Sequence, residues 1–356
     1  MKTKSKRLAN VELLRIVAML MVVMLHYLGK GNLLPGKNFH MDATGYVAWI
    51  LESLSIVAVN VYVLISGYFL VESDFKPGKI VKLVLQVLFY TVLITVLAFS
   101  FGLIGKEEIG VYNLIVQLFP FQLEQYWFMT AYLVMYIVSP ILALGAKTMS
   151  QKNFKMVTLI MVTFMCVEKS ILPVQIQFDQ HGYDALWFIC LFLVAAYIRL
   201  YGIKILEKPL NAILLYLVGC GLLLMEDFMF SVIYEKFGEL WHLIGTPYHY
   251  NHIFNLLASI GLFMFFLQIK LKEGLFANLV CKIAPYTLGV YLLHEHIYVR
   301  YLWPRWFGAG ASQNLGIFLG GAFGTVLIVF SIGILVDYLR SLIFKVGSKM
   351  IHVKKS

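Results

Sequence analysis

The sequence specifies an all-α fold: a polytopic membrane helical bundle of about ten transmembrane helices with both termini cytoplasmic. Three observations carry this. Apolar and aromatic residues make up 60% of the chain, charged residues only 13%, and mean hydropathy is +0.81. A soluble chain carries about a quarter charged residues, so most of the solvent here is lipid. Apolar runs long enough to span a bilayer recur from end to end, and Lys and Arg gather in alternate loops.

A spanning helix needs about 20 mostly apolar residues. Runs of that kind lie near 8–28, 45–70, 79–103, 126–146, 154–171, 184–202, 209–225, 250–268, 281–299 and 314–341. The first follows the basic segment Met1 to Arg7 and superficially resembles a signal peptide. It is long enough to span, and Gly29 to Asn38 offers no small-x-small cleavage site, so it reads as a retained helix. The second run is long, with Gly67 near its end, and is expected to tilt or break. The loop from Glu226 to His249 is aromatic and reads as a short interfacial helix or lid. No loop could hold a soluble domain, so residues 1–356 form a single integral-membrane domain. No internal repeat is visible, which weakens a secondary-transporter reading.

With the N-terminus inside, only Lys30, Lys37, Lys106, Lys169, Lys236, Arg300 and Arg305 of the 29 basic residues fall outside, while Arg15 lies within a helix. The others lie on the inside, which fits the positive-inside rule for ten spans. Outside loops are acidic: Glu107, Glu108, Glu124, Asp179, Asp184, Glu226, Asp227, Glu235 and Glu239. The net charge of +10 therefore points to lipid headgroups rather than nucleic acid. Cys166, Cys190, Cys220 and Cys281 sit in or beside apolar runs without metal-ligand spacing. They read as packing residues, and no metal site is expected.

Charges inside a membrane cost about 2.5–3.5 kcal/mol each at a helix centre, so their positions are informative. The first helix carries Glu12, Arg15 and His26. Arg15 and His26 are eleven residues apart, three turns, which puts them on one face roughly 16 Å apart. Glu12 is close enough to pair with Arg15. The ninth run, YTLGVYLLHEHIY, places His294 and Tyr291 on one face in the same half of the bilayer as His26. Asn60 is a polar group within the second run, and Ser66, Gly67 and Tyr68 end it at the inner side. Just beyond, Lys76, Lys79 and Lys82 form a basic cluster suited to a phosphate-bearing ligand. Each has a plainer reading: snorkelling for Glu12 and Arg15, helix packing for Ser66–Gly67, and inside charge for the lysines.

Four segments resemble acyltransferase family 3 of membrane proteins, which O-acylates surface glycans. ELLRIVAMLMVVMLHY resembles the family's opening helix, with its Arg and His separated by ten intervening residues, here Arg15 and His26. VYVLISGYFL resembles its Ser-Gly-aromatic motif, EQYWFMTAYLVMYIVSPIL its Trp-Phe helix with Trp127, and YTLGVYLLHEHIY its penultimate helix. The resemblance implies an acyl-CoA donor on the cytoplasmic side, acetyl-CoA by default, and an extracytoplasmic saccharide acceptor. It also implies that Arg15 and His26 are essential and that the chain sits in a bacterial-type cell membrane. Where many members carry Arg-x-x-Arg before the third helix, FKPGKIVK has Lys76 and Lys79. Lysine holds phosphate as a point charge, without arginine's planar fork.

On this reading His26 is the base for the acceptor hydroxyl, Arg15 positions the donor and Glu12 orients Arg15. Ser66, Gly67, Tyr68, Lys76, Lys79 and Lys82 line the coenzyme A inlet. Asn60, Trp127, Tyr291 and His294 face the acceptor. A permease using the same polar face, or a non-catalytic scaffold, stays open at this stage.

Overall fold

The computed structural model describes residues 8–36, 41–121, 125–171, 179–309 and 314–353. Lys37, Glu124 and the basic residues before Leu8 and after Val353, all used in reading the topology, lie outside these. The described residues are helices and connecting turns, with no strand among them.

The first helix, α1 (Ala9–Lys30), has 22 residues, about 33 Å at 1.5 Å per residue and enough to cross a hydrocarbon core. The second run is two helices, α2 (Ala43–Ser55) and α3 (Ala58–Leu70), broken at Ile56–Val57. In lipid the carbonyls freed by such a break need partners; the Tyr216 hydroxyl donates to Leu54 O at 2.7 Å. Pro77 opens α4 (Pro77–Ser100), where a missing N–H costs nothing. A short α5 (Val111–Leu118) leads to α6 (Trp127–Thr148), which contains Pro140. The carbonyl that Pro140 leaves unbonded is that of Tyr136, and Ser139 Oγ donates to it at 2.7 Å. Then come α7 (Gln151–Val162) and α8 (Glu168–Ile171), joined through a π-turn at Thr163–Val167. Asp184 caps α9 (Ala185–Tyr201), accepting from Trp187 N at 2.8 Å.

The helix α10 (Pro209–Phe237) runs twelve residues past its expected end, so Glu226 and Asp227, expected in an outer loop, are helical. Asp227 is fully buried and accepts from Gly245 N at 2.5 Å. The remaining connection, to α11 (Ile253–Gln268), where a short interfacial helix or lid was expected, holds two single 3₁₀ turns, Trp241–Leu243 and Thr246–Tyr248. The ninth run also differs from expectation. It is α12 (Leu275–Ile283), a turn holding Pro285, and α13 (Thr287–His294), and the helix stops at His294 rather than continuing to 299. A short α14 (Trp303–Trp306) precedes the long α15 (Leu315–Val353).

Eight helical segments among the described residues are long and apolar enough to cross a membrane. The expected spans at 154–171 and 184–202 correspond to the charged, π-broken α7–α8 and to α9, which has 17 residues. The chain is a multi-pass membrane protein. Its helices alternate between a basic end, carrying Lys76, Lys147 and Lys204, and a far end holding His26, Trp127 and His294. Asn10 Nδ2 donates to Phe266 O at 3.0 Å near the basic end, tying α1 to α11.

Helix packing depends on close backbone approach, as usual where lipid removes a hydrophobic drive between helices. A Cβ on Gly261 of α11 would lie 2.6 Å from Tyr216 N and 2.8 Å from Ala212 O, both backbone atoms of α10. The buried carboxylate of Asp337 in α15 accepts from Gln86 Nε2 (2.9 Å), Tyr90 OH (3.0 Å) and Arg340 Nε (2.7 Å), which clamps α4 to α15.

Backbone cannot move aside as a side chain can, so Gly261→Ala should cost about 1–3 kcal/mol by overpacking. The thermal midpoint of the detergent-solubilised chain should fall. Gly221→Ala, with open space around its Cβ, should leave the midpoint unchanged or raise it.

Candidate functional site

One face of α1 lines the site: Arg15, Met19, Val22 and His26, at spacings of four, three and four residues, point to the bundle interior. Val59, Tyr62 and Ser66 of α3 face them, with Trp127, Phe128 and Tyr132 of α6, and Thr287, Leu288 and Tyr291 of α13. Together they enclose a cavity of about 330 Å³ that runs from Arg15, near the basic end, to His26, near the far end. The walls are aromatic and aliphatic, and the polar groups sit at its two ends.

At the basic end, Arg15 Nη1 is 2.8 Å from Glu12 Oε2. The Tyr62 hydroxyl donates to Arg15 O at 2.7 Å, fixing α3 against α1 there. Ser66 lines the cavity, its hydroxyl donating to Tyr62 O at 3.0 Å. Lys79 does not reach the cavity wall itself. Its ammonium lies 5.9 Å from the centre of the Tyr136 ring, which stacks on Tyr132, and Tyr132 lines the cavity. Lys76 meets Tyr136 only through its backbone, with Tyr136 OH 3.3 Å from its N, and Lys82 is exposed.

At the far end the contacts set the tautomers. His294 Nδ1 is 2.6 Å from Val290 O, and a carbonyl can only accept, so His294 carries its proton on Nδ1. Its Nε2 is then an acceptor, and the partner 2.8 Å away is His26 Nδ1, which must donate. Glu295 Oε2 is a second acceptor, 3.1 Å from the same nitrogen. With Nδ1–H engaged, the remaining His26 nitrogen, Nε2, holds a lone pair. That is the state a general base requires. Lys30 forms an ion pair with Glu295, and Arg300 Nη1 lies 3.8 Å from its other oxygen.

His26, His294 and Glu295 offer donor atoms that converge closely enough to be considered for a metal ion. Two ligands on a tetrahedral ion bound at about 2.0–2.1 Å stand well over 3 Å apart. The 2.8 Å separation of the imidazole nitrogens and the Lys30 ammonium on the carboxylate instead describe a hydrogen-bonded chain.

Four residues expected at the site stand elsewhere. Asn60 is fully buried off the cavity, donating to Tyr250 O (2.8 Å) and accepting from Trp187 Nε1 (2.9 Å). It joins α3 to α9 rather than to a ligand, because lipid leaves an amide no water to bond. Gly67 faces α9, where a Cβ would stand 2.9 Å from that of Ala195, so it serves the helix crossing. Tyr68 is held by Arg199, whose Nη1 donates to its hydroxyl at 3.1 Å and whose guanidinium covers its ring at 4.8 Å. Lys82, as noted, is exposed to the outside of the basic end. Trp127 and Tyr291 line the cavity, Trp127 stacking on Tyr250 at 5.6 Å and lying 4.5 Å from the Tyr183 ring.

Glu295 and Lys30 were not assigned roles from sequence. Glu295 was visible in the HEH triplet, but consecutive helical residues point about 100° apart, and a continuous helix would have sent it away from His294. Glu295 is the C-cap of α13, with φ −94° and ψ 0° and its N–H bonded to Tyr291 O, and its carboxylate as well as the His294 ring reaches His26. Farther out, His181 stacks on His249 at 4.0 Å. Burial and the nearby Lys169 push the His181 imidazole down, keeping it neutral there.

A family model described as an acyltransferase domain, that of acyltransferase family 3, matches residues 8–334, nearly the whole chain. No curated protein and no solved structure matches.

If Asn60 is structural, Asn60→Ala should destabilise the chain by about 1–3 kcal/mol by stranding buried partners. Substrate constants measured on the folded fraction should stay unchanged; a selective rise in an acceptor constant would instead return Asn60 to the site.

Proposed function

The chain belongs to membrane acyltransferase family 3, and on that premise we propose that it is an O-acyltransferase using acyl-CoA and a saccharide hydroxyl. The acyl group, acetyl by default, moves from a donor at the basic end to a glycan or glycan precursor at the far end. The observation that carries this reading is the cavity joining Arg15 to a His26 whose Nε2 is left with a free lone pair by its tautomer. Its Arg15-to-His26 length, roughly 16 Å, matches the reach of a pantetheine arm. The nucleotide of coenzyme A would stay outside the basic end, near Lys76 and Lys79. By the positive-inside rule that end faces the cytoplasm of a bacterial-type cell.

The chemistry follows from the groups present. The acceptor hydroxyl gives its proton to His26 Nε2 as its oxygen attacks the thioester carbonyl. The imidazolium that forms lies against the Glu295 carboxylate, which stabilises it as a triad carboxylate does. Tyr291 lines the cavity, and its buried hydroxyl meets no hydrogen-bond partner among the described residues, so it is free to donate to the developing oxyanion. The C–S bond then breaks, the ester C–O bond is complete, and the proton passes from His26 to the departing thiolate. Aromatic walls exclude water, which would otherwise take the acyl group. Trp127 and the neighbouring Tyr183 and Tyr250 offer flat faces on which a sugar ring can stack. A permease would need no such base, and the acyltransferase family assignment favours transfer.

His26→Ala should abolish acyl transfer from radiolabelled acetyl-CoA in a chain that expresses and folds; full activity would sink the mechanism. Glu295→Gln removes the countercharge and should lower kcat by about 10²–10⁴, with the donor KM little changed. Arg15→Ala should do the reverse in emphasis, weakening acetyl-CoA binding measured by calorimetry. Wild-type chain that binds no acetyl-CoA would overturn the choice of donor.

A further inference from the structure

The charges at the far mouth do not balance. Lys30 and Arg300 converge on a single carboxylate, Glu295, which His26 also contacts. Lys30 makes the close ion pair. Arg300 stands off at 3.8 Å, beyond hydrogen-bond range, and its buried Nε meets no acceptor among the described residues. The Arg300 side chain is 31% exposed, but a buried N–H donor such as its Nε without a partner calls for an explanation. The position makes it more pointed, because the far end is where the chain otherwise avoids Lys and Arg. Lys169, another far-end cation, is by contrast matched by Asp179.

Two further features lie around this excess cation. Lys30 is one turn beyond His26 on α1, about 6 Å along the axis, close to the distance between a hydroxyl and an acidic substituent across one sugar ring. The exposed ring of Tyr301 lies beside both cations, 5.8 Å from the Lys30 ammonium and 5.2 Å from the Arg300 guanidinium. An aromatic face flanked by a guanidinium fork suits a ring that bears a planar or tetrahedral anion.

Building on the O-acyltransferase reading, we propose that the acceptor is an anionic saccharide, its carboxylate or phosphate held by Arg300 beside Lys30 while a neighbouring hydroxyl faces His26. Arg300 then selects among acceptors and takes no proton. The anion restores neutrality at the mouth, leaving Glu295 to serve His26.

The test is binding of three probes to the full chain in phosphatidylcholine nanodiscs, by calorimetry: methyl glucuronoside, glucose 6-phosphate and methyl glucoside. At least one anionic sugar should bind about tenfold more tightly than the neutral one. Arg300→Gln should erase that preference, and Arg300→Lys should keep part of it. Whichever anion binds better identifies carboxylate or phosphate. Equal affinities, no binding of any probe, or a preference that survives Arg300→Gln would overturn the proposal. So would a preference that disappears when phosphatidylglycerol replaces phosphatidylcholine, since the cations would then belong to a lipid headgroup. The acyltransferase reading is judged separately, by acetyl-CoA turnover in wild type and His26→Ala.

Discussion

The structure turns on the hydrogen-bonded chain from Val290 O through His294 to His26, closed by Glu295 and Lys30. It is the link between the first helix and the end of α13, and it fixes the protonation of the imidazole at the cavity's far end. A histidine alone in an apolar helix face has no defined tautomer. Here the carbonyl of Val290 decides, because it can only accept, and the decision passes through two rings to leave a lone pair on His26 Nε2.

The same constraint appears throughout the bundle. Polar groups within a membrane must find partners inside the protein, and each irregularity in these helices has one. Tyr216 accompanies the break between α2 and α3, and Ser139 takes up the carbonyl that Pro140 frees. Asn60 and Asp337 are buried without touching the cavity, and each joins helices distant in sequence. A polar residue in a membrane helix therefore signals either a site or a joint. The distinction rests on what its hydrogen bonds already hold: those of Asn60 and Asp337 are used within the protein, whereas His26 lines the cavity with only its Nδ1 engaged.

The cavity separates two kinds of chemistry by distance. In the proposed transfer, recognition of a charged donor belongs to the basic end, where Arg15 and the lysines stand, and proton transfer belongs to the far end. Between them lie Met19, Val22, Leu25 and Phe128, whose side chains offer no polar partner for water. In the proposed reaction this division would give the activated acyl group a route that leaves the rest of the donor behind.

Much of this was legible in the residues themselves. Hydropathy fixed the class of solvent and hence the helical fold, since lipid permits few other backbones. The eleven-residue interval placed Arg15 and His26 on one face, because helical periodicity is local and survives any packing. Sequence could not choose between Ser66, which lines the cavity, and Gly67 and Tyr68 beside it, which pack on α9 and pair with Arg199. Facing is decided by which helix arrives as neighbour, and that depends on contacts more than a hundred residues apart. The length of α10, the end of α13 and the recruitment of Glu295 and Lys30 were likewise settled by tertiary structure. A helix stops or continues according to partners for its last carbonyls, and a buried carboxylate stays charged only where folding brings it cations.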